Sequence, residues 1–446
     1  MPGRLSQPVS SATLTGFALK ITLPVGKTSA AMPDTPMSDP YFQKLFADRI
    51  GGAGYGKGTE IYKFEKIKRA KRKAISEHPE RSLIDFGIGE NDESAPEPIR
   101  RKLAEQIDRP ENRGYADNGI ADFKQAAARF MQRNFGVELD PETEVNHCIG
   151  SKTALAMVPA AFINPGDITL MTAPGYPVAG THTRYYGGAV YQLPLLAEND
   201  FLPELDTIPA EVLQKGKLLV LNYPNSPTGK VADGAFYEKV VQFAKRNELV
   251  VVQDAAHVLL TYGGHPLSFL STPGARDVGI EIHSLSKGFH MIGWRIGWIC
   301  GHGRIVQAVA DIKDNSDSGQ FIAIQKAAVT ALDDDSIAQQ VRRKYERRLQ
   351  RLVETLGSCG FECQMPGGTY FLYMRSPRAV EGGPSFDSAE AASQYLITEH
   401  SICTVPWDDA GAYLRFSVTY EAEDEAAEQA LMAETQDRLK QIKLVF

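Results

Sequence analysis

Residues 284–298, SLSKGFHMIGWRIGW, set one lysine, Lys287, just beyond an apolar run and follow it with glycines and Arg295. A lysine amine forms an imine with an aldehyde, so Lys287 can hold an aldehyde cofactor covalently. Ser284, Ser286 and Arg295 are phosphate donors, the arginine through its planar fork. A Ser-x-Ser-Lys run alone also suits a surface turn; the serines, lysine, arginine and glycines together narrow the reading. Asp254 closes a second apolar run, VVVQD. A carboxylate at the carboxyl edge of a parallel strand faces the crevice where open α/β sheets bind ligands. A pyridine cofactor needs such an anion, which keeps its ring nitrogen protonated and electron-accepting. The plain structural alternative for Asp254 is a cap on the next helix.

Four further segments have the spacing to surround such a cofactor. NYPNSPTG (222–229) presents Asn225 and Ser226 as donors to a ring oxygen, although Asn, Ser, Pro and Gly also simply build turns. GSKTAL (150–155) places Ser151 and Lys152 where a strand enters a helix, and helix N-terminal amides bind phosphate. PGYP (174–177) puts Tyr176 on a turn, its ring free to stack on a flat cofactor or to be a half-buried structural side chain. In YLRFSV, Arg415 lies between Leu414 and Phe416 and so faces away from them on a strand. A bidentate arginine suits a substrate α-carboxylate, and a structural ion pair is the alternative.

The elements that must position these residues are legible as an alternation. Runs 167–173, 217–224, 248–256 and 279–286 are strand-like, while 120–135, 152–162 and 233–247 have helical periodicity. Short apolar strands alternating with helices predict an α/β fold: a large doubly wound domain with a mostly parallel sheet. SLIDFGI (82–88) predicts a strand entering a glycine turn. Residues 335–357 predict a long charged helix, and 367–374 and 413–418 the strands of a smaller α+β unit. Near the start, 40–50 has helical spacing of Phe42, Leu45, Phe46 and Ile50. A second helix over 61–77 carries Lys63, Lys66, Lys68, Arg69, Lys71 and Arg72, a face expected to be solvated. The expected divisions are a disordered tail over 1–36 (with Met37 an alternative start), an arm over 37–80, a large domain over 81–320 and a small one over 321–446.

At 446 residues the chain exceeds a single small core. Its net charge of −7 argues against a nucleic-acid partner, whose footprint is basic. Five cysteines with no CxxC pair argue against a disulfide framework and for a reducing, cytoplasmic setting. Cys359 and Cys363 have no nearby His or second Cys pair, so no metal site is expected. No apolar run reaches the roughly twenty residues that span a bilayer, so no membrane association is expected.

In this order, GSK, PGYP, PNSPTG, Asp254, SLSK…GWRIGW and Arg415 resemble the class I/II aminotransferases of fold type I, over about residues 40 to 446. The resemblance implies pyridoxal 5'-phosphate as cofactor, amino-acid and oxo-acid substrates, and a homodimer with shared active sites. It implies a large doubly wound domain and a smaller domain built from both chain ends. By motif it gives Lys287 the cofactor attachment, Asp254 the pyridine nitrogen and Tyr176 the ring face. Ser151, Lys152, Ser284, Ser286 and Arg295 hold the phosphate, which Tyr115 of RGYADNG reaches from the neighbouring subunit. Arg415 holds the α-carboxylate, with the FGIGE turn containing Gly89 closing over it. Two positions depart from the family pattern: Ser226 stands where Asn usually precedes Pro-Thr-Gly, and His257 where a Tyr follows the aspartate. Segments QKLFADRIGG, LIDFGIGENDE and RPENRGYADNG resemble a branch whose substrate has an amino-carboxylate group at each end. Glu90, Glu111, Asn112 and Asn118 are candidates for that second end, and Asn225 and Gly89 for the substrate generally.

Overall fold

The computed structural model describes residues 40–57 and 63–446. These fall into two units, one within Met1–Glu60 and the other within Ile61–Phe446. The expected tail over 1–36 and the alternative start at Met37 lie outside the described residues. In the first unit the helix expected over 40–50 forms only at Pro40–Gln43, followed by 3-10 turns at Asp48–Ile50 and Gly52–Gly54. Phe42, Leu45 and Ile50 are exposed. Helices this short are not stable without packing, which explains the interruption.

The second unit is organised around seven strands: β1 (Val145–Cys148), β2 (Ile168–Ala173), β3 (Ala189–Pro194), β4 (Gly216–Asn222), β5 (Val250–Asp254), β6 (Gly279–Ser284) and β7 (Gly297–Gly301). Their order is β1-β7-β6-β5-β4-β2-β3, parallel except for β7. The inner strands are apolar on both faces because both are covered. Leu219, Leu221 and Val251 enter one core, while Leu218, Val220, Val252, Ile280 and Ile282 enter the other. Strands β3 and β7 escaped the sequence reading, and β1 was expected only as an unbounded strand leading into GSKTAL. Buried Asn146 and His147 interrupt β1, and β3 is a partly exposed edge.

A separate core gathers Tyr345, Leu349, Leu352 and Leu356 of the helix Asp335–Gly357 against Phe371, Leu372, Leu414 and Phe416. The last four come from a three-stranded antiparallel sheet in which Tyr413–Ser417 lies between Val405–Trp407 and Phe371–Arg375. The strand expected over 82–88 shrinks to Ile84–Asp85, which pairs in parallel with Ile402–Cys403. The Ser417 amide then donates to the Phe86 carbonyl at 2.8 Å, stitching this early segment into the late one. The basic helix runs Lys63–Glu77 and buries Ile67, Ala70 and Ala74. Its solvated face is smaller than expected. Lys68, Arg69 and Arg72 are exposed, but Lys66 pairs with Glu390 at 2.6 Å and Lys71 with Asp85. No helix among the described residues is long and apolar enough to cross a membrane.

An ionic cluster ties the loop after Ile84–Asp85 to this second core. Arg348, 1% exposed, meets Asp92 at 3.0 Å and Glu428 at 2.6 Å, and donates to the carbonyls of Val418 and Tyr420. Burial alone would raise Asp92, but Lys344 and Arg348 hold its carboxyl below the usual range. Removing one partner from such a group leaves buried charge and carbonyls uncompensated. Arg348→Met should therefore cost about 3–5 kcal/mol, read as a lower urea midpoint with an unchanged denaturant slope.

Candidate active site

Strands β4, β5 and β6 end beside one another, with Asn222 in register with Asp254. Their carboxyl ends open into a cavity of about 630 Å³. Asp254, Lys287, Arg295 and Arg415 all line it, with Ser284 and Ser286 from the end of β6 and the turn beyond. So do Ser151, Lys152, Gly89, Tyr176, Ser226 and His257. Segments far apart in sequence therefore converge where the topology of an open α/β sheet leads them.

Lys287 sits in the single helical turn Leu285–Gly288, which Ser284 caps by accepting from the Ser286 amide at 3.1 Å. Its amine donates to the Gly89 carbonyl at 3.1 Å, and the Tyr370 hydroxyl donates to the same oxygen at 2.8 Å. The Asn91 side-chain amide donates to the Lys287 carbonyl at 3.0 Å and to the Tyr345 hydroxyl at 3.1 Å. The loop carrying Gly89 and Asn91 thus grips Lys287 at both its ends, and Asp92 anchors that loop. Burial pulls the Lys287 amine down to about 8; Glu90 opposes the shift, while Arg415 and Arg295 reinforce it. Burial pushes the Asp254 carboxyl the other way, up to about 6, against the pull of the Ala256 amide and Lys287. The two groups are driven toward each other in acidity by one cause, removal from water.

At one end of the cavity begins the helix Ser151–Phe162, whose first amides have no side-chain cap. Such an end attracts anions. Gly150 precedes it at φ +74°, and a Cβ there would stand 2.4 Å from an Arg295 guanidinium nitrogen. Glycine is required both for that backbone conformation and for that approach. Arg295 itself has φ +54°. Its guanidinium donates to Ile292 at 2.9 Å and to the Ser286 hydroxyl at 3.3 Å. At the other side Arg415 lies over the Phe371 ring at 4.1 Å and donates to the Gly87 carbonyl at 3.2 Å. Leu414 and Phe416 pack into the core on the far face, as the alternation required. Burial pulls the Arg415 guanidinium down to about 10, and its Nε is buried with no partner among the described residues. His257 is buried, held neutral by burial and by the cations Lys287 and Arg415. Its Nδ1 likewise has no partner among the described residues.

Some expected residues are elsewhere. Asn225 does not face the cavity: its carbonyl oxygen accepts from the Thr228 amide and hydroxyl, so it builds the turn. Asn222 lines the cavity instead; its side chain binds the Asp254 carbonyl and the Ser226 amide. Asn112 is fully buried and bonded to Gln106, which removes it as a contact for substrate. Glu111 shares its 3-10 turn, away from the lining residues. Asn118 bridges Asp314 and Asn146. Glu90 is exposed and near enough to act on Lys287 by charge. Tyr115 is 85% exposed and does not line the cavity of its own chain. The sequence reading missed Tyr370, Asn91, Asn222, Lys63 and Trp407. Asn222 carried a signal, since it ends an apolar run as Asp254 does.

The model of the family "aminotransferase class I and II" matches residues 81–432. The chain belongs to this family. It is accordingly an enzyme, an aminotransferase acting on small molecules. A Methanocaldococcus jannaschii protein named LL-diaminopimelate aminotransferase is 55% identical over 386 residues, 86% of this chain and 92% of that protein. One of the same name from Methanococcus maripaludis is 50% identical over 412 residues, 91% and 99% of the two chains. Among solved structures, substrate-bound BacF from Bacillus subtilis superposes with a TM-score of 0.77 at 31% identity, covering 87% of this chain and 97% of that one. The aspartate aminotransferase of Thermus thermophilus, at 23% identity and a TM-score of 0.76, shares the fold.

A lowered amine is a reactive one, because the neutral form is the nucleophile. In the cofactor-free aminotransferase, Lys287 should be acylated by a small amine-directed reagent with a midpoint near pH 8. A lysine in a short model peptide has its midpoint at about 10.4. Peptide mapping across a pH series would sink this expectation by finding Lys287 modified only together with the exposed lysines.

Proposed function

We propose that this aminotransferase moves an amino group between glutamate/2-oxoglutarate and tetrahydrodipicolinate/LL-diaminopimelate, in lysine biosynthesis, with pyridoxal 5'-phosphate as cofactor. The observation that carries the reading is the likeness, over nearly their whole lengths, to the two methanogen proteins bearing that activity in their names. Several features of the cavity fit the cofactor. The uncapped helix start, with Gly150 making room for Arg295, suits a phosphate. Buried Asp254 suits a protonated ring nitrogen, and the unpartnered His257 Nδ1 suits a ring oxygen. Ser226 and Asn222 line the same cavity. Tyr176, on its turn, suits the ring face.

When bound, the cofactor supplies an electron-accepting ring. Asp254 keeps that ring protonated. Arg415 binds the α-carboxylate in the bidentate geometry that fixes the orientation of Cα. The neutral amine of Lys287 then takes the Cα proton and returns it as acid. Holding Lys287 by the Gly89 carbonyl and by Asn91 limits where that proton goes. The same proposal includes a homodimer in which exposed Tyr115 serves the neighbouring subunit, a cytoplasmic location, and a large domain over 81–320 with a small one over 321–446. The hydrophobic cores cross that last boundary: Ala327, Ala331 and Ile337 join the core of the large sheet, and Ile84, Phe86 and Leu260 join that of the smaller sheet.

The test is a coupled assay of the cofactor-loaded protein with LL-diaminopimelate and 2-oxoglutarate. Glutamate should form, and Lys287→Ala should lower kcat by about 10²–10⁴-fold. Bound cofactor with no glutamate, but turnover of alanine, aspartate or an aromatic amino acid, would discard diaminopimelate and keep the transaminase.

A further inference from the structure

The outer part of the cavity, beyond Arg415, carries charges that the chemistry above does not use. Lys63 opens the helix Lys63–Glu77, and Asp409 follows the strand Val405–Trp407; both line the cavity with Arg415. Neighbouring charges are already engaged. Lys66 is paired with Glu390 at 2.6 Å. Asp408 accepts from the amides of Ala389 and Glu390 at 2.8 and 3.2 Å, capping the next helix. Lys63 and Asp409, by contrast, enter no hydrogen bond or ion pair among the described residues. The Lys63 ammonium is instead held over the Trp407 ring, 3.9 Å from its centroid. Burial lowers this ammonium, and Asp409 is the strongest of the charges opposing that shift.

The sheet sets the distance from Arg415 of Trp407, the ring that carries the Lys63 ammonium. Val405 is in register with Arg415, and Trp407 lies two residues further along the same strand, on the same face. The strand rise makes that about 7 Å. A seven-carbon chain with bonds of about 1.5 Å spans a comparable length when extended.

We propose that Lys63 and Asp409 form a distal subsite for the second amino-carboxylate group of the substrate, Lys63 taking its carboxylate and Asp409 its ammonium. The proposal rests on the substrate reading above and adds the residues that select for it. A single unpaired cation would admit any dicarboxylic amino acid. A cation and an anion together favour a far end that is itself zwitterionic.

The experiment measures KM and kcat of the cofactor-loaded enzyme with LL-diaminopimelate and with 2-aminopimelate, which lacks the distal amine. Lys63→Met should raise KM on the order of tenfold for both substrates, the loss of one charge-assisted contact. Asp409→Asn should raise KM by a similar factor for LL-diaminopimelate, with that penalty collapsing for 2-aminopimelate; this comparison isolates the contact to the amine. Lys63→Arg should recover most of the affinity. An unchanged KM for LL-diaminopimelate in both variants overturns the subsite, as does a loss confined to Arg184→Gln, another cation lining the cavity. A wild-type enzyme inert toward LL-diaminopimelate overturns the substrate reading and the subsite with it, and is recognised before any variant is made.

Discussion

Lys287 and Asp254 are kept in one cavity out of water, and that desolvation dictates much of the surrounding architecture. It brings the amine down to about 8 and the carboxyl up to about 6, so both groups titrate within reach of neutrality. Neither could be placed so by an isolated helix or loop, which would leave it hydrated. Parallel strands covered on both faces supply the dry setting, and their adjacent carboxyl ends bring Asn222, Asp254 and Ser284 together. The cations Arg295 and Arg415 line the same cavity as the amine, and both add to its shift. The field that prepares Lys287 is thus made by the groups that also offer to bind anions.

The second dependence is mechanical. Gly89 and Asn91 act on Lys287 through a loop that belongs to neither the sheet nor the helices around it. Its stiffness is borrowed from Asp92, fixed by Tyr345, Lys344 and Arg348, and from Tyr370, which shares the Gly89 carbonyl with Lys287. A buried ion pair is weak evidence for stability in its own right. Here its contribution is positional: it determines where a carbonyl oxygen stands relative to an amine.

Much of this was legible in the residues themselves. Doubly covered strands write continuous apolar runs, so β2, β4, β5 and β6 were visible, and Asp254 and Ser284, at the ends of β5 and β6, were read as site residues. Helix periodicity found Ala121–Phe135, Ser151–Phe162 and Gly234–Asn247 within a residue or two. Most of what failed had no local signature. SLIDFGI is a strand only because residues 401–417 come to meet it. Asn225 and Asn222 are chemically identical in the sequence, and only the turn decides that one is consumed internally while the other faces the cavity. Lys63 read as part of a wet face because helical periodicity says nothing about a tryptophan more than three hundred residues later in the chain.

The ionic cluster joins residues 92, 348 and 428, with Glu428 on the last long helix. Folding during synthesis proceeds from the N-terminus, at about 5–20 residues per second. The large sheet, complete by Gly301, can therefore close well before the loop over Lys287 has anything to hold it. Arg415 and Arg348's partner Glu428 emerge last. At that rate the helix that fixes Asp92 follows Lys287 by several seconds, and Glu428 follows that helix by several more. A chain cut short before its final helix keeps the lysine, the loop over it and Arg348, but leaves that buried guanidinium without Glu428.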